Sequence, residues 1–316
     1  MQNEKSTIWY VIANPAAGKN AVARQQQDLA AFLAQYLPHH FLVLTVRRGH
    51  ATQLAMEAIR QGYRKIIAVG GDGTNFEVIN GILQQQEVLP TDILYALLPV
   101  GTGNDWIRTH GIPKDWHPWL TMLNAGHTLL QDVGVVQYFS DGEPAQRFFV
   151  NVAGMAYDAF VVRYAEQHKR WIIHKTLYLI LVFRLLLKYR LARARVLFNN
   201  QVVEDYFYTV NIGICRYSGG GMRLVPHADP TDGQLALTLA GQFSKVGVLI
   251  NTYRFYNGTL GEHPKIDLYK TTQVRVEPLQ KDQALWVEAD GEWLGDAPAV
   301  FSILPKALKI IVPAKS

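Results

Sequence analysis

The chain has 316 residues, with 31 Lys and Arg against 26 Asp and Glu and a net charge of +5. That length exceeds one compact core and points to two domains, while the single cysteine, Cys215, excludes an internal disulfide framework and fits a reducing compartment. No Cys/His cluster has zinc-ligand spacing, the N-terminus lacks the basic start of a signal peptide, and the mild positive charge alone selects no partner.

In chain order, the first 130 or so residues alternate between two textures. Short apolar, β-branched runs at 7–13, 41–46, 65–69 and 93–99 predict strands. Segments with helical spacing at 21–36, 51–61, 76–83 and 117–124 predict helices. Such alternation predicts a parallel sheet, whose ligand site lies at the carboxyl ends of its strands. Three of the four strands run there into polar, glycine-containing loops at 14–19, 70–75 and 101–105. From about residue 133 short β-like runs follow at 133–139, 147–152, 195–198, 206–214 and 234–239, then at 272–276, 285–288, 300–304 and 308–312. They predict an antiparallel sandwich or open barrel, interrupted by a helical insert at 157–191. The expected division is 1–133, 134–304 and a C-terminal strand in 305–316 that packs back on the first domain.

Val69-Gly70-Gly71-Asp72-Gly73-Thr74-Asn75 sits between a buried strand and a helix. Its glycines allow positive φ and close ligand approach, and its amides with the helix N-terminus suit a phosphate. A bare carboxylate at Asp72 repels phosphate unless a Mg²⁺ bridges the two. Asn14-Pro15-Ala16-Ala17-Gly18-Lys19 has small residues and a lysine that can meet a phosphate, though a plain strand-to-helix loop would look similar. Gly101-Thr102-Gly103-Asn104-Asp105 offers a hydroxyl, an amide and a carboxylate, and helix capping explains only one of the last two. Glu288-Ala289-Asp290-Gly291-Glu292 reads either as a hairpin turn or as a carboxylate displayed at a hairpin tip.

The ordered set Asn14-Pro15-x-x-Gly18-Lys19, Gly70-Gly71-Asp72-Gly73-Thr74-x-x-Glu77, Gly101-Thr102-Gly103-Asn104-Asp105-x-x-Arg108 and Asp290-Gly291-Glu292 resembles the diacylglycerol kinase catalytic family. More narrowly, it is similar to that family's soluble bacterial lipid kinases, relatives of sphingosine and ceramide kinases. The resemblance implies an α/β N-terminal domain with an NAD-kinase-like nucleotide site, a mostly antiparallel β C-terminal domain, and ATP- and Mg²⁺-dependent phosphorylation of diacylglycerol or a related lipid. It places the ATP site at Asn14, Pro15, Ala16, Ala17, Gly18, Thr45, Gly71, Asp72, Gly73, Thr74, Asn75, Phe76, Glu77 and Thr102. It gives Asp72 and Asp105 the organisation of the catalytic Mg²⁺ and the phosphates, with Asp132 joined through water and Lys19 nearby. Glu292 matches the family's proton acceptor, and a structural Mg²⁺ would fall at Asp229, Asp232 and Gln234. Two departures stand out: Asn75-Phe76 replaces a Leu-Asn pair, and Ala236 stands where an acid is common.

Residues 163–195 contain nine Lys and Arg and a single acid, Glu166. Their apolar run, 177–183, is far short of the roughly twenty residues of a membrane span. The leucines fit a buried helix, while the basic ends at Lys169-Arg170 and 188–195 fit an anionic bilayer surface. Nucleic acid is not expected, since no interleaved surface aromatics accompany the basic stretch. The expectation is a cytoplasmic, transiently membrane-associated enzyme with a lipid substrate, free to form a homodimer through an edge strand. An NAD kinase, or a nucleotide-responsive membrane regulator without turnover, are the alternatives.

Overall fold

The computed structural model of the protein describes residues 2–18, 22, 26–101, 103–168, 175–280 and 284–314, with the backbone alone at 2–3 and 175–179. The chain forms two compact units, one of Met1–Asp132 with Pro305–Ser316 and one of Val133–Leu304.

In the first unit the apolar runs form β1 (Trp9–Ala13), β2 (His40–Leu44), β3 (Lys65–Gly70) and β4 (Leu94–Pro99). They pair in parallel in the order β2-β1-β3-β4, and Lys309 and Ile310 of the last strand add beside Leu94 and Tyr95 of β4. Val11, Ile12, Ile66, Ile67 and Leu97 have no exposed surface, as expected of strands in a covered parallel sheet. Between and after them come the helices α1 (Gln26–Tyr36), α2 (His50–Arg60), α3 (Asp72–Gln84), α4 (Asp105–His110) and α5 (Trp116–Ala125). α2 and α3 approach closely at Gly81, where a β-carbon would stand 2.5 Å from the Thr52 carbonyl oxygen.

The strand order reverses direction at β1, since β2 lies on one side of it and β3 on the other. Such a switch point opens a crevice at the carboxyl ends of the two strands. The loops at Asn14 and Gly71 leave β1 and β3 at that edge, and the loop at Gly101 follows β4.

In the second unit β12 (Ile266–Thr271), β11 (Leu235–Ala240), β10 (Thr209–Gly213), β7 (Val152–Ala156), β14 (Trp286–Ala289) and β15 (Glu292–Ile311) pair in that order, antiparallel throughout. β13 (Gln273–Pro278) joins β15 to β8 (Ala192–Phe198), which pairs with β9 (Gln201–Phe207); β5 (Thr128–Ser140) pairs with β6 (Glu143–Phe149). Among the described residues its α-helices are α6 (Tyr157–Gln167), α7 (Lys175–Lys188) and α8 (Lys245–Asn257). Leu185 and Leu186 of α7 and Val248 of α8 share one apolar core with Tyr157, Tyr208 and Leu260.

Several elements differ from their sequence expectation for identifiable reasons. α3 begins at Asp72 rather than near Phe76, because Gly71 alone makes the turn out of β3. The insert at 157–191 comprises α6 and α7, with 169–174 outside the described residues. The runs at 300–304 and 308–312 belong to one strand, β15. α8 was not anticipated, since Val246, Gly247 and Val248 mask its helical period.

Candidate active site

Gly71 is the only residue between β3 and α3, so the first amides of a thirteen-residue helix open directly at the sheet edge. Four helix amides there have no partner within the helix, and the helix dipole favours an anion beside them. Gly70 has to be glycine: a β-carbon would lie 2.4 Å from Thr74 Oγ1. Asn14 donates through Nδ2 to Thr74 Oγ1 at 3.0 Å and accepts the Ala16 amide on Oδ1 at 3.0 Å. It therefore ties the β1 loop to the β3 loop across the switch point. Pro15, Ala16, Ala17 and Gly18 follow in the same turn, Gly18 with φ of 59°. Thr45 donates its amide to the Ala13 carbonyl, which sets it at the end of β2 beside the same edge.

Asp72, the first residue of α3, receives the backbone amide of Asp105 on both carboxylate oxygens, at 3.1 and 3.2 Å. Burial, then the neighbouring Asp105 carboxylate, push its pKa up to about 6 against the opposing pull of backbone amides. Asp105 itself is buried and lies 3.4 Å from Arg108 Nε, one helical turn on. Asn104 is buried in a left-handed conformation, with φ of 51° and ψ of 52°. Its Oδ1 has no hydrogen-bond partner among the described residues. A β-carbon at Gly71 or at Gly101 would stand 3.6 Å from that oxygen, and one at Gly103 would stand 2.9 Å from Asp72 Oδ2. Side-chain oxygens of Asp72 and Asn104 thus lie close against the backbone of these glycines.

The remaining predicted residues of this unit fall into distinct settings. Asn75 is buried and accepts the Tyr95 hydroxyl at 2.6 Å, so its side chain turns into the core with Phe76. Glu77 accepts the amides of Gly49 and Ala51 at 2.8 and 3.1 Å, where its charge faces the N-terminus of α2. Asp132, fully buried, accepts the Lys306 amide at 2.7 Å. Gly73 lies in the first turn of α3. Lys19 and Thr102 lie outside the described residues, as do Lys169 and Arg170.

In the second unit Asp290 and Gly291, with φ of 53° and 81°, form the two-residue turn between β14 and β15. The Asp290 carboxylate accepts three successive amides, Val150 and Asn151 at 2.9 Å and Val152 at 3.2 Å. Glu292 opens β15 half-buried, opposite Ala289. Glu288, 3% exposed, accepts the Gly291 amide at 3.0 Å. Burial and then the Asp158 charge hold its pKa well above the usual carboxylate range.

Sequence reading missed this second acid and its surroundings. A β-carbon at Gly154 would meet Glu288 Oε1 at 2.6 Å, Asp158 Cβ at 3.1 Å and Asn211 Oδ1 at 3.2 Å. Asp158 also accepts the Thr209 hydroxyl, and burial raises its pKa to about 6. The available signal was an acid in each of two apolar runs, at Val287-Glu288-Ala289 and Ala156-Tyr157-Asp158. Beyond them an apolar cleft is walled by Phe243, Val248, Phe255, Leu260 and Ile266. Asn211, whose side chain also meets Asp158, and Thr238, whose buried Oγ1 has no hydrogen-bond partner among the described residues, also line it.

Asp229 and Asp232 act locally. Asp229 accepts the Thr231 amide and hydroxyl at 3.0 and 2.8 Å, while Asp232 accepts the Gln234 amide at 3.0 Å and pairs with Lys270. Among the described residues no three His, Cys, Asp or Glu side chains converge as a metal cage.

Residues 8–136 match the family model for the diacylglycerol kinase catalytic domain, and residues 151–312 that for the YegS C-terminal NAD kinase beta sandwich-like domain. A diacylglycerol kinase of Staphylococcus haemolyticus (strain JCSC1435) is 27% identical over 96% of this chain and 87% of its own. A diacylglycerol kinase structure from Bacillus anthracis str. Sterne superposes with a TM-score of 0.70 at 22% identity, over 97% of each chain. Yeast NADH kinase shares the fold at a TM-score of 0.52 and 10% identity, over 98% of this chain and 84% of that one. The second match alone spans half of the sequence, and with the first it leaves little outside: the chain belongs to the diacylglycerol kinase family, in its form with a YegS-type C-terminal domain, and is a lipid kinase.

Proposed function

We propose that the chain transfers the γ-phosphate of ATP to the free hydroxyl of diacylglycerol, or of a closely related lipid, in a Mg²⁺-dependent reaction. The observation that carries this reading is the cluster of side-chain oxygens of Asp72, Asn104 and Asp105 at the N-terminus of α3. Two carboxylates and an amide oxygen are the hard donors that Mg²⁺ prefers, and a partial protein set suits an ion that keeps waters and substrate phosphates as its other ligands. When bound there, Mg²⁺ would neutralise phosphate charge as the transfer proceeds.

The chain's own groups have separate tasks in this reading. Amides of the first turn of α3 hold phosphate oxygens, and Asn14 fixes the β1 loop beside them. Lys19 and Thr102 complete the phosphate contacts, with Pro15, Ala16, Ala17, Gly18 and Thr45 lining the nucleotide. Glu77 and Asn75 support that wall from behind through α2 and Tyr95. The lipid hydroxyl oxygen bonds to the γ-phosphorus while the bond from that phosphorus to the β,γ-bridging oxygen breaks. ADP leaves, and the hydroxyl proton passes to the Glu292 carboxylate. Asp290 and Glu288 hold the turn that carries this base. The apolar side chains Phe243, Val248, Phe255, Leu260 and Ile266 would meet an acyl chain beside Asn211 and Thr238, once the cleft between them, about 20 Å³, widens to admit it.

The same reading takes Asp229, Asp232 and the Gln234 carbonyl as a structural Mg²⁺ site, in which the ion competes with Lys270 for Asp232. It takes the enzyme as cytoplasmic and transiently bound at a membrane, and among the described residues no helix is long and apolar enough to cross one. Homodimerisation through an edge such as β9 is read by light scattering.

The test is incubation with γ-labelled ATP and Mg²⁺, with diacylglycerol in mixed micelles or with NAD. Label extracted into the organic phase as a phosphorylated lipid is expected. Label in NADP would replace the reading with an NAD kinase, and ATP binding without transfer to any lipid would replace it with a non-catalytic regulator.

A further inference from the structure

α8 is apolar on two faces. Its inner face, Val248 and Phe255, packs into the core shared with Leu185 and Leu186 of α7. At about 100° per residue, Val246, Leu249, Ile250 and Tyr253 fall on a single outer arc, and they are 63%, 45%, 67% and 54% exposed. Leu187 of α7, 63% exposed, adjoins this arc, because Lys245 at the start of α8 bonds to the Leu187 carbonyl oxygen. A helix that is apolar on both faces is stable in a core or at a lipid interface, and less so against water.

The charges around the arc are mainly basic, although Arg254 of α8 pairs at 3.4 Å with the exposed Glu262 beside the helix. Neither α7 nor α8 contains an Asp or Glu, whereas Arg184, Lys188, Arg190 and Lys245 are exposed along and beside them. Apolar residues in the middle, an aromatic ring and basic side chains at the margin are what a helix lying in the headgroup region presents to anionic lipid.

We propose that the outer face of α8, with Leu187, inserts into the surface of an anionic bilayer and is the element by which this chain docks on membrane. The proposal deepens the lipid-kinase reading but its test does not depend on it, since docking is read without ATP and without diacylglycerol.

The experiment uses the full chain. Cys215 is the single cysteine and is buried, so an environment-sensitive fluorophore on Ile250→Cys labels the outer arc selectively. With vesicles of phosphatidylglycerol and phosphatidylcholine, emission is expected to shift to the blue and intensify, and far less with phosphatidylcholine alone. Leu249→Asp with Ile250→Asp is expected to lower partitioning into the mixed vesicles by at least about tenfold, through two lost apolar insertions. The same double variant should unfold as cooperatively as wild type and keep its activity on a water-soluble, short-chain diacylglycerol. An unchanged emission with the mixed vesicles, or equal vesicle binding by the double variant, would overturn the proposal. A blue shift that appears with protein concentration in the absence of lipid would also overturn it, in favour of a second copy on this face.

Discussion

Asp72 grips the backbone amide of Asp105 between its two carboxylate oxygens, at 3.1 and 3.2 Å, and so joins the loops that follow β3 and β4. The contact fixes one acid while bringing a second beside it. Arg108 partly offsets the Asp105 charge, and a bound cation would relieve the repulsion that remains between the two carboxylates. That is the strained arrangement expected of a cation site, and it makes the site a local weakness in the metal-free protein.

Replacing Asp72 should separate stability from activity. Its folded-state pKa of about 6 lies above the value of 3.8 for an unburied aspartate, so the folded chain holds this proton more tightly than the unfolded chain. The stability linked to that proton is full below about pH 4 and is lost as pH rises through about 6. In chelator at pH 7.5, Asp72→Asn should therefore be more stable than wild type by ~1–2 kcal/mol, a shift of this size discounted for partial solvent access. The gain should vanish near pH 4, and the variant should transfer no phosphate. Urea unfolding at several pH values reads it, and a variant less stable than wild type at pH 7.5 contradicts the repulsion between Asp72 and Asp105.

The hairpin tip makes the opposite prediction for two acids two residues apart. Asp290 accepts three backbone amides, so Asp290→Ala should destabilise by about 2–4 kcal/mol. Glu292→Gln should change stability by less than about 0.5 kcal/mol while lowering turnover by about a hundredfold or more at unchanged ATP affinity. Calorimetry on both variants, with nucleotide binding on the second, separates scaffold from base. Unchanged lipid phosphorylation by Glu292→Gln would remove it from the mechanism.

The Asn75–Tyr95 bond should behave as a coupled pair. Tyr95→Phe leaves the buried Asn75 carbonyl without its 2.6 Å donor and should cost about 1–3 kcal/mol. Adding Asn75→Leu removes the stranded group, and the double variant should recover part of that loss. A double-mutant cycle in urea measures the coupling, and strict additivity would show that the bond contributes nothing.

The two β textures and the three glycine loops were legible because each rests on local physics: apolar period, turn chemistry and the need for close backbone approach. The ordered loops resembled the family whose models match the chain, although no single loop was specific. What sequence could not show was the partner of each side chain. Asn75 looked like a departure in a nucleotide loop until the structure paired it with Tyr95, twenty residues on. Glu77 carried a predicted nucleotide role, yet both its oxygens meet amides at the start of α2. The buried setting of Glu288 was not legible because it is made by Asp158 and Asn211, distant from it in sequence. α8 was hidden by the very property that gives it interest, since an apolar residue on each face erases the helical period.

The most direct measurement of the central claim is phosphate transfer from γ-labelled ATP to diacylglycerol by wild type with Mg²⁺, by wild type in excess chelator, and by Asp72→Asn with Mg²⁺. Labelled phosphatidate in the first reaction alone is the predicted result. Equal label in all three, or label in none, would contradict a Mg²⁺-dependent lipid kinase site built around Asp72.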